Sequence, residues 1–295
     1  MTMLTPQLTT ALDAALADAC DQVGLDSSGA RLITYSSNAV FELASPVVVR
    51  LSLYPDRVAH TARLVRVATW LAERGAPIAP LVDEVPQPVL GNGYAATFWR
   101  AYERPPALAA ADLAAPLRAI HNLDAPDWLP RWDKFAYART LLDHANGIDD
   151  ADHAWLSQAW IDAESDYQAV APAMPHGVIH GDAHVANLLR ATDGEFALCD
   201  LDNIAHGPLD WDLTPAAVSA LRFGPVGALS EFSAAYGRDV TRLAWWPVLR
   251  RIRELVMVTY LVTDLANRPA MAEQWHHRMA TLRENRSDAA WKPYY

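Results

Sequence analysis

The sequence is short of cysteine: among 295 residues there are two, Cys20 and Cys199. Far apart and without CxxC spacing, they cannot build a disulfide framework, and a reducing cytoplasm is the expected setting. Positive charge is scarce as well. Lys and Arg total 24 against 35 Asp and Glu, a net charge of −11, and no basic run stands out. Sequence-independent nucleic-acid binding needs clustered cations to neutralise phosphates, so nucleic acid is not an expected partner. Long apolar runs are missing too. The longest, LVMVTYLV at 255–262, is far too short to span a bilayer, and no membrane partner is expected. The first twenty residues lack a basic n-region and a continuous apolar h-region, and they carry Asp13 and Asp18. Leu8, Leu12 and Leu16 share one helical face there, the pattern of an amphipathic helix and not of a signal peptide. There is no internal repeat and no low-complexity tract.

Apolar residues make up 52% of the chain, which at this length supports two lobes with separate cores. Residues 30–54 hold two β-branched and aromatic runs around small turns, the mark of successive antiparallel strands. DRVAHTARLVRVATWLAERGAP then reads as a helix: Asp56 is placed to cap it, apolar residues recur at Val58, Ala62, Val65, Ala68 and Leu71, and Gly75 and Pro77 stop it. Gly91-Asn92-Gly93 predicts a hairpin turn before the strand YAATFWR. ERPPA at 103–107 breaks regular structure, and the composition beyond it turns alanine-rich and helical, with helices predicted over 108–121, 133–145 and 151–171. The domain boundary falls here, giving 1–103 as a nucleotide-binding lobe and 104–295 as a catalytic and substrate-binding lobe. A turn is expected at Thr192-Asp193-Gly194, and the stretch from DWDL to the end is mostly helical.

The chemistry concentrates in VIHGDAHVANLL, residues 178–189. Histidine and carboxylate packed this closely indicate a metal or a proton transfer. One reading is a zinc or iron site on His180, Asp182 and His184, whose alternation along a strand would bring all three to one face; no remote His or Glu motif completes it. The other reading makes Asp182 a base and Asn187 an oxygen ligand for Mg²⁺, an ion that prefers one or two protein oxygens together with phosphate oxygens and water. ALCDLDN supplies a second carboxylate in Asp200, with Asp202 two residues on. An HxD-x(4)-N loop, a short hairpin and a strand-terminal Asp is a layout for phosphoryl transfer.

HGDAHVAN, followed by CDLDNIAHGPLDWDL, resembles the aminoglycoside phosphotransferase and choline kinase family. SSNAVFEL with VVVRLS, and LRAIHNLDAPDWLPRWDKFAYAR, extend the resemblance more loosely along the chain. It implies an α+β, bilobal, protein-kinase-like fold, with a small antiparallel-sheet N-lobe and a larger, mostly helical C-lobe. It also implies transfer of the γ-phosphate of ATP, or GTP, to an alcohol, with Mg²⁺. By the same resemblance Asp182 is the catalytic base, His180 buttresses its loop, and Asp212 holds the loop backbone from below. Asn187 and Asp200 are the metal ligands, with Asp202 either touching a second Mg²⁺ or serving as a helper carboxylate without metal. His184 packs or hydrogen-bonds locally. Nucleotide phosphates would meet Ser36 and Ser37 in TYSSNAV, a loop without glycine whose letters a polar hairpin turn also explains. Arg50 stands where kinases carry a phosphate-reaching Lys, and Arg keeps the charge and can bind phosphate bidentately. Leu64 occupies the position of its usual Glu partner, so Arg50 must find other partners or stay mobile until phosphates arrive. Trp99 would lie near the base, with the Arg100 and Tyr102 backbone reading its edge.

The acceptor is a small molecule, and the chain acts as a monomer or homodimer. Residues after 240 supply Trp245, Trp246, Tyr260 and Trp275, aromatics that serve either as core or as a ligand cage, together with Glu254, Asp264 and Glu273. On an acidic chain these carboxylates predict a hydroxylated amine, an aminoglycoside-like antibiotic or amino sugar before a choline- or homoserine-like metabolite. The glycine-free loop and the missing Glu also fit a catalytically silent nucleotide-binding protein.

Overall fold

A computed structural model describes residues 5–53, 58–224 and 227–294. The chain divides into two compact units, one formed by residues up to Ala107 together with Asn187–Asp202, the other by Leu108–Ala186 and Asn203 onwards. Glu103 was the expected end of the first lobe. The division comes four residues later, and 187–202 join the first unit. Backbone pairing accounts for this: β7 (Leu188–Arg190) and β8 (Phe196–Leu198) form a hairpin, Leu198 bridges Ile78, and Arg190 exchanges two hydrogen bonds with Glu103. Gly194 takes the left-handed conformation at the hairpin's turn, at φ +90°.

The first unit is built on a five-stranded antiparallel sheet in the order β1-β2-β3-β5-β4, from β1 (Arg31–Tyr35), β2 (Asn38–Glu42), β3 (Val47–Ser52), β4 (Val89–Gly91) and β5 (Tyr94–Arg100). The turn from β4 to β5 is the predicted one, with Asn92 and Gly93 both at positive φ, as a two-residue hairpin requires. Helix α1 (Pro6–Val23) is capped by the Thr5 hydroxyl. It buries Leu12, Ala15, Leu16, Ala19 and Cys20 against Phe41, Val49, Leu51 and Phe98. Each fully buried leucine there is worth about 1.5–3 kcal/mol. The period of two turns Arg50 and Thr97 to the opposite face, where they line a cleft with Thr61 and Leu64 of α2 (Val58–Ala72). The expected cap of α2, Asp56, lies outside the described residues.

The second unit is mainly helical: α3 (Ala114–His121), α4 (Lys134–Asp143), α5 (Asp150–Val170), α6 (Thr214–Arg222), α7 (Ala228–Tyr236), α8 (Trp246–Thr259) and α9 (Pro269–Arg283), with one antiparallel pair, β6 (His176–Ile179) and β9 (Ala205–Pro208). Asp133 and Asp149 cap α4 and α5 through backbone N–H groups at 2.7–2.9 Å, each cap worth about 1 kcal/mol. Trp132, Phe135, Trp160, Trp211, Leu249, Ile252 and Trp275 belong to one core. Trp275 is fully buried and donates to the Val258 carbonyl, and Trp246 is buried too, so these two aromatics are core and not a ligand cage. Among the described residues no helix is long and apolar enough to cross a membrane.

Candidate active site

β6 ends at Ile179, and the chain turns at once, with Gly181 at φ +83°. A Cβ on Gly181 would lie 2.2 Å from the Asn203 carbonyl oxygen, so only glycine fits. This turn removes the strand alternation that a zinc reading of His180, Asp182 and His184 needs. Asp212 holds the turn instead. Its fully buried carboxylate accepts the His180 N–H at 2.6 Å and the Gly181 N–H at 2.8 Å. His121 Nε2 lies 3.0 Å from the same carboxylate, while His121 Nδ1 lies 2.6 Å from the Tyr236 hydroxyl. Trp211 Nε1 donates to the Gly181 carbonyl at 2.9 Å. Asp210, two residues before Asp212, pairs with Arg238 at 2.8 Å and accepts the Trp245 indole N–H at 3.0 Å. His180 is wholly buried within this framework.

Asp182 follows the clamped turn. Arg253 of α8 donates to its Oδ1 at 2.9 Å, and His184 Nε2 stands 3.7 Å from Oδ2. Burial pushes the Asp182 carboxyl up, but Arg253, His184 and Lys134 together outweigh it and hold it below the usual carboxylate range. Lys134 also donates to the Asn203 side-chain oxygen at 3.0 Å. Asp182 is therefore an ionised carboxylate in cationic surroundings.

Within the first unit, the β7–β8 register pairs Leu188 with Leu198, and the Cys199 N–H donates to the Asn187 carbonyl at 2.9 Å. The hairpin thus brings Asn187 and the segment leading to Asp200 to one end. Asn187 is buried. Asp200 is exposed and sits at φ +61°, a left-handed conformation that a non-glycine residue holds only at a cost. Burial, then the Asp200 charge, push the Cys199 thiol up to about 11, so it is no nucleophile at neutral pH. Among the described residues no group of three His, Cys, Asp or Glu side chains is placed to hold a metal ion by itself. The oxygens of Asn187 and Asp200 suit Mg²⁺, which takes few protein ligands and completes its shell with phosphate and water.

Asp202 sits on Arg50: Nη1 of Arg50 lies 2.6 Å from Oδ2, and His60 Nε2 lies 2.7 Å from Oδ1. Although burial opposes it, the His60 and Arg50 contacts hold the Asp202 carboxyl far below the usual range. With its amide oxygen turned towards the guanidinium, Asn38 accepts from Arg50 Nη2 at 2.6 Å. Arg50 is therefore held without a Glu at position 64. Leu64 is buried, and α2 contributes His60, four residues earlier, to Arg50's partner. Arg50 and His60 each lie against one of the Asp202 oxygens, so the carboxylate serves Arg50.

Ser36 and Ser37 form the exposed β1–β2 turn, where the Ser36 N–H donates to the Asn38 carbonyl at 3.0 Å. Trp99 is half-buried, its indole N–H on the Thr97 hydroxyl at 2.8 Å. The Arg100 amide cannot read a base edge, because it already donates to the Pro80 carbonyl at 2.9 Å, and the Arg100 side chain pairs with Glu84. The Ala101 and Glu103 amides are likewise engaged, by Pro46 and Arg190. Among the described residues, Tyr102 alone of 100–103 has a backbone N–H with no protein acceptor.

His60, His121, Lys134 and Arg253 are among the residues at these sites that escaped the sequence reading. His121 stands in the LRAIHNL segment that carried part of the resemblance, and its histidine was the available signal. Arg253 had none, since it is one of several arginines on an apolar helix.

No curated protein matches the chain. Solved structures do. A choline/ethanolamine kinase family protein from Mesorhizobium loti is 17% identical, with 94% of each chain covered and a TM-score of 0.64. An aminoglycoside phosphotransferase from Streptomyces rimosus is 20% identical over 84% of this chain and 99% of its own, with a TM-score of 0.61. A choline kinase from Streptococcus pneumoniae, also solved with AMP, is 11% identical over 88% and 94%, with a TM-score of 0.66. These likenesses establish the bilobal, protein-kinase-like α+β fold. The model of the phosphotransferase enzyme family matches residues 33–255, well over half of the chain, and the chain belongs to that family.

Proposed function

We propose that this protein transfers the γ-phosphoryl group of ATP or GTP to a hydroxyl group of a small molecule. The observation that carries the reading is the state of Asp182: an ionised carboxylate on a turn whose two preceding amides are clamped by a buried aspartate. Such a group orients an acceptor hydroxyl and takes its proton as the oxygen–phosphorus bond forms and the bond from γ-phosphorus to the bridging oxygen breaks, releasing the nucleoside diphosphate. Lys134 and Arg253 put positive charge beside Asp182, where negative charge develops on the transferring group. Asn187 and Asp200 would hold Mg²⁺, which supplies charge neutralisation on the nucleotide phosphates. Arg50, fixed by Asp202, offers a second cation to those phosphates, and the Tyr102 amide offers a donor to the base. The hairpin turn at Ser36 and Ser37 supplies hydroxyls and amides in place of glycine. That the Streptococcus choline kinase of the same fold is known with AMP supports a nucleotide as donor.

The acceptor is a polar, hydroxylated compound. A cationic amine, aminoglycoside-like or choline-like, rests on a field from Asp202, Glu254, Asp264 and Glu273. The first three are paired inside the chain, with Arg50, with Arg222 and Arg250, and with Arg268 respectively, and Glu273 is exposed. Arg253 on Asp182 favours a second reading: an acceptor that carries a carboxylate beside its hydroxyl, as a homoserine-like metabolite does.

The test is acceptor-stimulated nucleoside diphosphate release across panels of aminoglycosides, amino sugars, choline-like alcohols and hydroxy amino acids. Asp182→Asn should bind nucleotide normally and lose about 10²–10⁴-fold in turnover. Near-wild-type turnover in that variant would remove Asp182 from the mechanism. Nucleotide binding with no turnover on any panel would leave a silent nucleotide-binding protein.

A further inference from the structure

On a chain of net charge −11, four arginines line one cavity of about 270 Å³ in the second unit. Arg222 comes from the end of α6, Arg250 and Arg251 from α8, and Arg286 from the turn after α9. Glu254 is the one carboxylate in the lining, and Trp246 forms part of the wall.

Two of the arginines have structural work. Arg222 is fully buried; its Nε donates to Glu254 at 2.8 Å, its Nη1 donates to the carbonyls of Arg286 and Ala289 at 3.0 and 2.6 Å, and its guanidinium lies 4.5 Å from the Trp291 ring centre. Arg250 shares the same Glu254 oxygen at 2.8 Å and donates to the Ser287 carbonyl. Together they pin the segment after α9 to the helices beneath it. Arg286 pairs with Glu284 at 2.8 Å, both side chains well exposed.

Arg251 is different. It has no carboxylate partner among the described residues, one long hydrogen bond to the Leu282 carbonyl at 3.3 Å, and the Trp155 ring 5.2 Å away. Burial pushes its guanidinium down from its ordinary value, with the more distant Glu254 and Asp162 opposing. Four guanidinium groups thus face Glu254 and Glu284, with Asp162 acting on Arg251 from further off. Positive charge is left in excess around one cavity, and a half-buried cation without a paired counter-ion costs free energy that an anion would recover.

We propose that this cavity is a binding site for a small phosphate monoester, whose negative charge meets this positive excess and whose oxygens suit the planar guanidinium fork. At about 30 Å³ per water, the space equals roughly nine waters, room for a phosphate and a short polyol. The site is separate from the catalytic loop. Arg253 turns to Asp182, whereas Arg251 stands roughly 160° around the same helix, at 100° per residue. Its ligand is therefore an effector, bound whether or not phosphoryl transfer takes place at Asp182.

Calorimetry on the full-length protein, at constant ionic strength, would use glycerol 3-phosphate and inorganic phosphate as probes and glycerol as the neutral control. Glycerol 3-phosphate should bind and glycerol should not. Arg251→Met should weaken binding at least tenfold, and Arg286→Gln, an exposed position that folding does not depend on, several-fold. Arg50→Met, in the other unit, should leave it unchanged at a temperature where its melting curve shows the variant fully folded. No binding of either phosphate, binding that survives both Arg251→Met and Arg286→Gln, or binding lost in Arg50→Met would overturn the assignment. Equal affinity for inorganic phosphate and glycerol 3-phosphate would reject the monoester in favour of a simple anion site.

Discussion

Asp212→Asn removes one oxygen from the centre of the turn before Asp182 without changing its volume. In the native protein Oδ1 accepts the Gly181 N–H, while Oδ2 accepts the His180 N–H and faces His121 Nε2, all in a fully buried setting. An amide keeps a single acceptor oxygen and turns an NH₂ towards a donor. One backbone N–H is then buried without a partner, at about 1–3 kcal/mol, and the remaining bond loses its charge assistance, about 1 kcal/mol more. With His121 also facing a neutral group, the total is about 3–5 kcal/mol. For a domain of this size each kcal/mol lowers Tm by about 2–4 °C, so a fall of roughly 6–20 °C follows. Urea unfolding followed by tryptophan fluorescence measures it, since Trp211 donates to Gly181 in the same turn. A midpoint equal to wild type, with the His180 and Gly181 amides still protected from hydrogen exchange, would refute the clamp. Turnover should fall with the clamp, because Asp182 follows directly after it.

Asn187→Ala and Asp200→Ala should each weaken Mg²⁺-nucleotide more than free nucleotide; equal losses by calorimetry would count against both as ligands. Arg50→Ala should destabilise the nucleotide-free protein by about 2–4 kcal/mol, because Asp202 loses its main counter-charge while half the pair stays buried. An unchanged melting temperature would mean that the Arg50–Asp202 pair contributes nothing before phosphates arrive. Arg253→Met removes the strongest cation at Asp182, so burial should dominate and the Asp182 pKa should rise. The carboxylate is favoured above its unfolded-state pKa, and that contribution is lost as pH falls through the lower folded value; in the variant this loss should begin at a higher pH. Carbon NMR of the Asp182 carboxyl would read it, and an unmoved titration would show that Arg253 is not the controlling charge.

Much of the fold was legible because it is written in local signals. The Asn92-Gly93 turn, the β-branched runs of residues 30–54, the helices expected over 133–145 and 151–171, and the turn at Gly194 each depend on a few neighbouring residues, and local sterics and hydrogen bonding decide them. The loop from His180 to Asn187 and the Asp200 and Asp212 that follow it stood out for another reason: their order and spacing resemble the phosphotransferase family pattern, and the roles proposed for them rest on that spacing. The partners of these groups were not legible. Whether Arg50 meets Leu64, His60 or Asp202 depends on how α2 lies across the sheet, and a helix rotated by one residue would present another side chain. The amide of Arg100 looked available until the chain at Pro80 took it. Glu254 and Asp264 looked like part of a field for a cation, yet arginines from α6 and α8 and the turn after Asp264 neutralise these two at 2.5–2.8 Å. Sequence by itself determined which elements form and which residues match the family pattern, since those follow from local propensity and from spacing along the chain. Only the tertiary structure decided which charges meet, because a pairing energy falls off over a few ångströms and is set by residues far apart in the chain.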